Sequence, residues 1–239
     1  MISRISIFIV LSLVVLVGCT PTRDITYSVK GIEKVSLEDS VHARTRPLGL
    51  RIALFEDVRQ AAPENGILFL RERETEVNGM DYCINSEKHY KKGTVPAQVA
   101  KIMATHIDKR GTFKKVTSDS TALQDYVLTG KITRLYSAQE VSTSAKVGSF
   151  FGLIGALATS GATTNGEVVI EFSDLAVRRA SDGVQKRIPD VAESFSGELH
   201  ADAECWCVYD NLNDRLKLAV ERLSVAVEQA VAELAMTKP

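Results

Sequence analysis

The chain has almost no net charge: 29 basic side chains against 30 acidic ones leave −1 over 239 residues. It lacks the basic stripe that nucleic acid would require, so no nucleic-acid partner is expected. Histidine is scarce, and the four present, His42, His89, His106 and His200, are widely scattered. There is no Gly-x-Ser-x-Gly elbow, no His-Glu-x-x-His pair and no Ser-x-x-Lys within a supporting set. No Walker Lys-Ser/Thr pair follows the glycines, which disfavours a phosphate cradle. Carboxylates are numerous, but no pair is marked for acid/base work. The expectation is a protein that is not an enzyme and carries neither cofactor nor metal. Long apolar runs are also missing after the first eighteen residues, so the body is expected to be soluble.

What is present begins at the amino terminus. Arg4 precedes an almost unbroken apolar run over residues 5–17. That is the pattern of an export signal, too short for a comfortable membrane-spanning helix. It ends in Leu16-Val17-Gly18-Cys19. These four residues resemble the lipobox of bacterial lipoproteins. The resemblance implies cleavage before Cys19, a thioether-linked diacylglycerol on Cys19 and acylation, palmitate included, of the new amino terminus. Each buried methylene contributes roughly 0.8 kcal/mol, and stable anchoring takes more than one chain, so three chains would make release negligible. Thr20, where Asp would favour inner-membrane retention, implies the outer membrane with the body facing the periplasm. The expected organisation is a signal peptide over 1–18, a lipidated tether over 19–46, and one periplasmic domain over 47–239 with a Gly/Ala-rich insertion at 147–166.

With Cys19 acylated, Cys83, Cys205 and Cys207 remain. An oxidising periplasm makes a disulfide plausible. A bond within Cys205-Trp206-Cys207 would close a tiny strained ring. Cys83 to Cys205 or to Cys207 is therefore expected, with one thiol left over. Metal binding through His89 or His200 fits no standard zinc spacing.

Large apolar residues alternate with small or polar ones over 48–55, a period of two that predicts a strand. The same reasoning predicts strands over 125–136, with a bend at Gly130, and over 167–179, 184–188 and 193–199. Ser181-Asp182-Gly183 reads as a hairpin turn. Residues 96–110 predict a helix, with Thr94 as cap, Pro96 in the first turn and Gly111 as the stop. His106 is expected at the boundary of its apolar stripe. Leu212, Leu216, Val220, Leu223, Val227, Val231 and Leu234 step by three or four, predicting a long amphipathic helix capped by Asp210 or Asn211. The fold class is α+β, a mixed or antiparallel sheet with the two helices on one face.

The unusual feature is the uncharged segment 147–166, with five glycines. Its apolar centre, residues 150–158, would cover roughly 13 Å as a helix, against a hydrocarbon core of about 30 Å. It cannot span alone. Gly148 and Gly152 have a spacing that permits close helix approach. Three readings stay open: a crossover between strands, an interface patch, or a membrane-dipping hairpin. Under the last two, Phe150, Phe151, Leu153, Ile154 and Leu157 make the contact.

The lipobox, the strand Leu50-Arg51-Ile52-Ala53-Leu54-Phe55, a helix ending at Gly111-Thr112-Phe113, and Asp125-Tyr126-Val127-Leu128-Thr129-Gly130-Lys131-Ile132 occur in that order. Together with a glycine-rich linker, a strand pair and a C-terminal helix, they resemble the YajG-like and ABC-transport auxiliary lipoproteins and, more distantly, the periplasmic domain of the CsgG curli-secretion family. The resemblance implies a binding or scaffolding accessory in envelope transport or assembly, with an envelope protein partner or self-association. The alternatives it leaves are a ring-forming secretion lipoprotein and, from the enzyme class, a cell-wall or lipid hydrolase.

Overall fold

The computed structural model describes residues 39–59, 82–84, 94–140, 162–201 and 207–237. In chain order the elements are α1 (Asp39–Thr45), β1 (Gly49–Ile52), β2 (Glu56–Asp57), β3 (Tyr82–Ile84), α2 (Val95–Arg110), β4 (Lys115–Thr117), β5 (Tyr126–Glu140), β6 (Thr163–Arg179), β7 (Gln185–Arg187), β8 (Val191–His200) and α3 (Cys207–Met236). The result is an α+β arrangement built on one mixed, open sheet.

Two long strands form the spine of the sheet. β5 and β6 run antiparallel from Tyr126 opposite Arg179 to Gln139 opposite Gly166. β1 and β2 lie parallel along the free side of β5, and β3 pairs antiparallel with its far end. β7 and β8 lie along the free side of β6, and β4 pairs parallel with β1. The connection from β1 through α2 to β4 is the crossover that a parallel pair requires.

The predicted bend at Gly130 falls at a register shift between Thr129 and Lys131. A Cβ there would meet Leu175 Cδ2 at 2.6 Å and Phe55 Cε2 at 3.0 Å. On the facing strand Asp174 takes φ 50°, a left-handed conformation that Asp tolerates. The bulge lets both strands keep apolar residues on one face despite the slip. That face carries Leu50, Ile52, Leu128, Ile132, Ile170, Phe172 and Val177, all wholly buried.

Both long helices join this core. Helix α2 begins after Thr94 and stops at Gly111, which takes φ 73° and donates its N–H to Asp108 O. Val99, Met103 and Ile107 are buried, as their spacing predicts. So is His106, only 1% exposed, which corrects the expectation of a boundary position. Helix α3 buries the whole predicted stripe from Leu212 to Leu234. It starts at Cys207, earlier than the expected cap at Asp210 or Asn211. Cys207 is therefore helical. The carboxyl end of α3 is closed by Arg179, whose Nη1 donates to Leu234 O at 2.6 Å and Thr237 O at 2.7 Å. A cation at the carbonyl end also suits the helix dipole.

Two further differences from the sequence reading concern segments expected to lack regular structure. Residues 39–45, within the expected tether, form α1, and Thr45 is wholly buried with its Oγ1 donating to Val41 O and Thr112 O. Residues 163–166, the end of the Gly/Ala segment, belong to strand β6. Residues 147–161 of that segment lie outside the described residues.

Gly166 sits against backbone within the spine: an added Cβ would meet the backbone oxygen of Ala138 at 2.6 Å and Leu199 Cδ1 at 2.8 Å. Backbone cannot swing aside as a side chain can. Gly166→Ala should destabilise the fold by about 1–3 kcal/mol through overpacking. Urea denaturation checks this, and an unchanged midpoint would contradict the packing described.

Candidate functional site

The outlying sequence features converge on one end of the sheet. β5 ends at Glu140 and β6 begins at Thr163 on the neighbouring row, so the chain over 141–161 leaves and returns here. β3 pairs with this same end, with Cys83 directly opposite Gln139. β8 ends here at His200 opposite Thr163, and α3 begins close by at Cys207.

Gln139 holds these pieces together. It is wholly buried. Its Nε2 donates to Cys207 Sγ at 3.0 Å, and its Oε1 accepts from Asn211 Nδ2 at 2.9 Å. Asn211 Nδ2 also donates to His200 O at 3.0 Å. Asn211 is thus used to dock the first turns of α3 onto the strand ends rather than to cap the helix. Gly166 and Gly197 stand opposite each other in the ladder beside Gln139, and Gly197 takes φ 155°. A Cβ on Gly166 would lie 2.7 Å from Gln139 Cβ, so the missing side chain there leaves room for Gln139.

The other face of this sheet end carries a second polar pair. Tyr136 Oη donates to Glu167 Oε1 at 3.0 Å. Burial pushes both groups up, the Glu167 carboxyl above its usual range and the Tyr136 hydroxyl further, aided by the negative charge of Glu167. Each is held toward its neutral form, as expected where desolvation dominates.

The opposite end of the molecule receives the amino-terminal chain. α1 packs on α3, and Arg44 Nη1 lies 3.1 Å from Met236 Sδ near the end of that helix. At 30 residues α3 is about 45 Å long. The entry of the chain and the Gln139 end are separated by roughly that length.

Between the two ends lies a buried ionic contact. Arg110, the last residue of α2, grips Glu228 of α3 with Nε to Oε1 at 2.8 Å and Nη2 to Oε2 at 3.1 Å. Thr112 Oγ1 adds a third donor to Oε1 at 2.9 Å. The two charged side chains are 1% and 0% exposed. A second ion pair joins α3 to β8, Arg222 Nη1 to Glu193 Oε1 at 2.7 Å, and the Arg215 guanidinium sits 4.2 Å over the Phe195 ring.

Several predicted site residues are not reached. Cys19, Cys205, Phe150, Phe151, Leu153, Ile154, Leu157 and His89 lie outside the described residues. Cys83 is placed by its backbone register, and Cys207 is buried at the Gln139 end. Gln139, Asn211 and the Arg110–Glu228 pair were not singled out from sequence. Nothing in spacing marks them, since their partners are far apart in the chain. Among the described residues no helix is long and apolar enough to cross a membrane, and no group of three His, Cys, Asp or Glu is placed to hold a metal ion.

No family model matches the chain, and no curated protein matches it in sequence. Solved structures are similar to it only at low identity and with TM-scores under 0.5. A Xanthomonas campestris protein of family DUF330 is 8% identical, with a TM-score of 0.44, over 90% of this chain and 97% of its own. A PelC dodecamer variant from Paraburkholderia phytofirmans is 10% identical, with a TM-score of 0.31, over 75% and 88%. A Caulobacter crescentus protein described as a lipoprotein is 11% identical, with a TM-score of 0.32, over 59% and 87%.

His106 gives a pH test of the helix interface. Burial first, then the positive charges of Arg110, Lys217 and Lys109, hold its imidazole down to about 4 from the ordinary 6.5. Its two ring nitrogens have no hydrogen-bond partner among the described residues. The folded state therefore keeps it neutral while the unfolded chain takes up a proton below pH 6.5. Stability is intact above that pH, falls as pH drops toward 4, and levels off below it. Between pH 7 and 4.5 the wild type should lose about 2 kcal/mol more stability than His106→Leu. Equal losses in the two proteins, measured by urea denaturation, would contradict the buried neutral imidazole.

Proposed function

We propose that this protein is a lipid-anchored lipoprotein of the bacterial outer membrane, its body in the periplasm, acting as a binding or scaffolding accessory in envelope transport or assembly. The anchor rests on Leu16-Val17-Gly18-Cys19 after the apolar run. The resemblance to YajG-like and ABC-transport auxiliary lipoproteins, and more distantly to CsgG, supports the accessory role.

The observation that carries the reading is the placement of the two functional ends. Residues 141–161 connect β5 to β6 at the Gln139 end, whereas the anchored chain enters beside the carboxyl end of α3. The segment between Cys19 and α1, residues 19–38, extends to at most about 70 Å. That reach is enough to hold the Gln139 end clear of the bilayer. This favours an envelope protein, or another copy of the chain, over the anchoring lipid as the surface that meets Phe150, Phe151, Leu153 and Ile154. Large apolar side chains without nearby charge suit the desolvated centre of such an interface.

Two variants test the reading in intact cells. Cys19→Ser should lose the lipid mass and leave the membrane fraction. Replacing Phe150, Phe151, Leu153 and Ile154 together with Ser should keep the anchor and the fold but lower the yield of crosslinked partner at least tenfold. A wild type without lipid mass sinks the anchor. Unchanged crosslinking of the four-serine variant, with its fold verified, sinks the interface.

A further inference from the structure

We propose that the end of the body where the amino-terminal chain enters docks on a phospholipid bilayer with anionic headgroups, with Leu123 as its apolar contact. The inference deepens the envelope reading and rests on it for a membrane within reach. The surface itself comes from exposure, charge and the turns that hold it.

Several turns meet at this end. β1 starts at Gly49 opposite Lys115 of β4, and β5 starts at Tyr126 opposite Arg179, the last residue of β6. Asp125 ties the turns together. Its carboxylate accepts the Gly49 N–H at 2.6 Å, and its backbone oxygen accepts the Ala180 N–H at 2.8 Å. Leu48 O accepts the Lys114 N–H at 2.9 Å.

Leu123, in the loop over 118–125, is 97% exposed, the highest value among the described large apolar side chains. The loop around it is held in place. Asp119 Oδ1 accepts the N–H and the hydroxyl of Thr121 at 2.9 and 2.8 Å. Arg51 Nη1 donates to Ser120 O at 2.5 Å, and Asp125 closes the far side. Val184, 44% exposed, belongs to the hairpin that follows Ala180. A single exposed leucine is ordinary on a protein surface. This one shares its end of the molecule with an unbalanced set of cations.

Arg44, Arg46, Lys109, Lys114, Lys115 and Arg178 are exposed there, with no carboxylate partner among the described residues. The exposed acids are engaged within the turns. Asp108 accepts the Val116 N–H, Asp119 and Asp125 hold the loop, and Asp182 is matched by Arg179. With that last pair set aside, six cations face three carboxylates, on a chain whose overall charge is −1. Anionic headgroups attract such a patch within about a Debye length. A second copy of the chain is the poorer occupant, because a two-fold contact through this patch would set like charges against each other. Burying one leucine at the boundary between headgroups and acyl chains adds apolar contact without a spanning segment. Docking here would hold the Gln139 end, at the other end of α3, away from the bilayer.

The test uses the full chain, purified in detergent and reconstituted into nanodiscs. One set holds phosphatidylethanolamine with phosphatidylglycerol, the other phosphatidylcholine alone. Leu123→Trp reports depth through quenching by brominated acyl chains, and the wild type, whose one tryptophan is Trp206, supplies the background. The expected result is quenching of the added tryptophan in the phosphatidylglycerol discs. Adding Lys114→Glu and Lys115→Glu should lower the docked-to-undocked ratio at least about tenfold, and high salt should lower it as well. No quenching in the phosphatidylglycerol discs overturns the proposal. So does quenching that is equal in both membranes and unchanged by the charge reversal. Mass spectrometry of the same samples reads Cys19 separately. Acyl mass with the added tryptophan unquenched sinks the docking alone, whereas salt-sensitive quenching without acyl mass upholds the docking and sinks the anchor.

Discussion

The two helices are fixed to each other by one buried ionic contact, and the placement of the rest follows from it. Arg110 and Glu228 leave water almost completely, with exposures of 1% and 0% on their side chains. Desolvating two full charges costs several kcal/mol each, so the pair is tolerable only in good geometry with its remaining hydrogen bonds made. Here the fork of Arg110 meets both carboxylate oxygens, and Thr112 satisfies Oε1 again. A bidentate contact has one productive alignment. It fixes the carboxyl end of α2 against one turn of α3 and so sets how far α3 extends along the sheet. At one end α3 meets Arg179 through Leu234 O and Thr237 O. At the other it delivers Cys207 and Asn211 to Gln139.

The strand ends complete the same logic in polar terms. Gln139 is buried and satisfied by two residues of α3, across a ladder where Gly166 and Gly197 carry no side chains. The helix is thus registered on the sheet by hydrogen bonds at its start, by an ion pair toward its end, and by an unbroken apolar stripe between. Polar contacts of this kind add specificity where the apolar stripe alone would tolerate sliding. The consequence for function is positional. The amino-terminal chain that carries the proposed anchor enters at one end of α3, and the segment proposed to meet a partner leaves at the other.

Much of the fold was legible because it depends on period. The stripe from Leu212 to Leu234 and the alternation in β1, β5 and β6 each report a buried face directly. Gly130 and Gly111 were legible as a bend and a stop because backbone geometry selects glycine there. The misses share another cause. Helix α1 is short and polar, and its place depends on contact with α3 rather than on its own stripe. The start of α3 was set too late because Asn211, a good cap by type, is engaged by Gln139 and His200 O. His106 is buried by tertiary packing that local spacing does not reveal. The candidate site was legible only in part: the cysteines and the Gly/Ala segment stand out as residue types, but only register brings the backbone of Cys83 opposite Gln139.

The claim that the Arg110–Glu228 contact governs the helix arrangement is tested most directly by a double-mutant cycle. Arg110→Met, Glu228→Leu and the double variant would be compared with the wild type by urea denaturation. Each single variant strands a buried charge and should cost about 3–5 kcal/mol, whereas the double variant strands none and should cost far less than the sum. The account predicts a coupling energy of at least about 2 kcal/mol. Two single losses each below about 1 kcal/mol that simply add would contradict it.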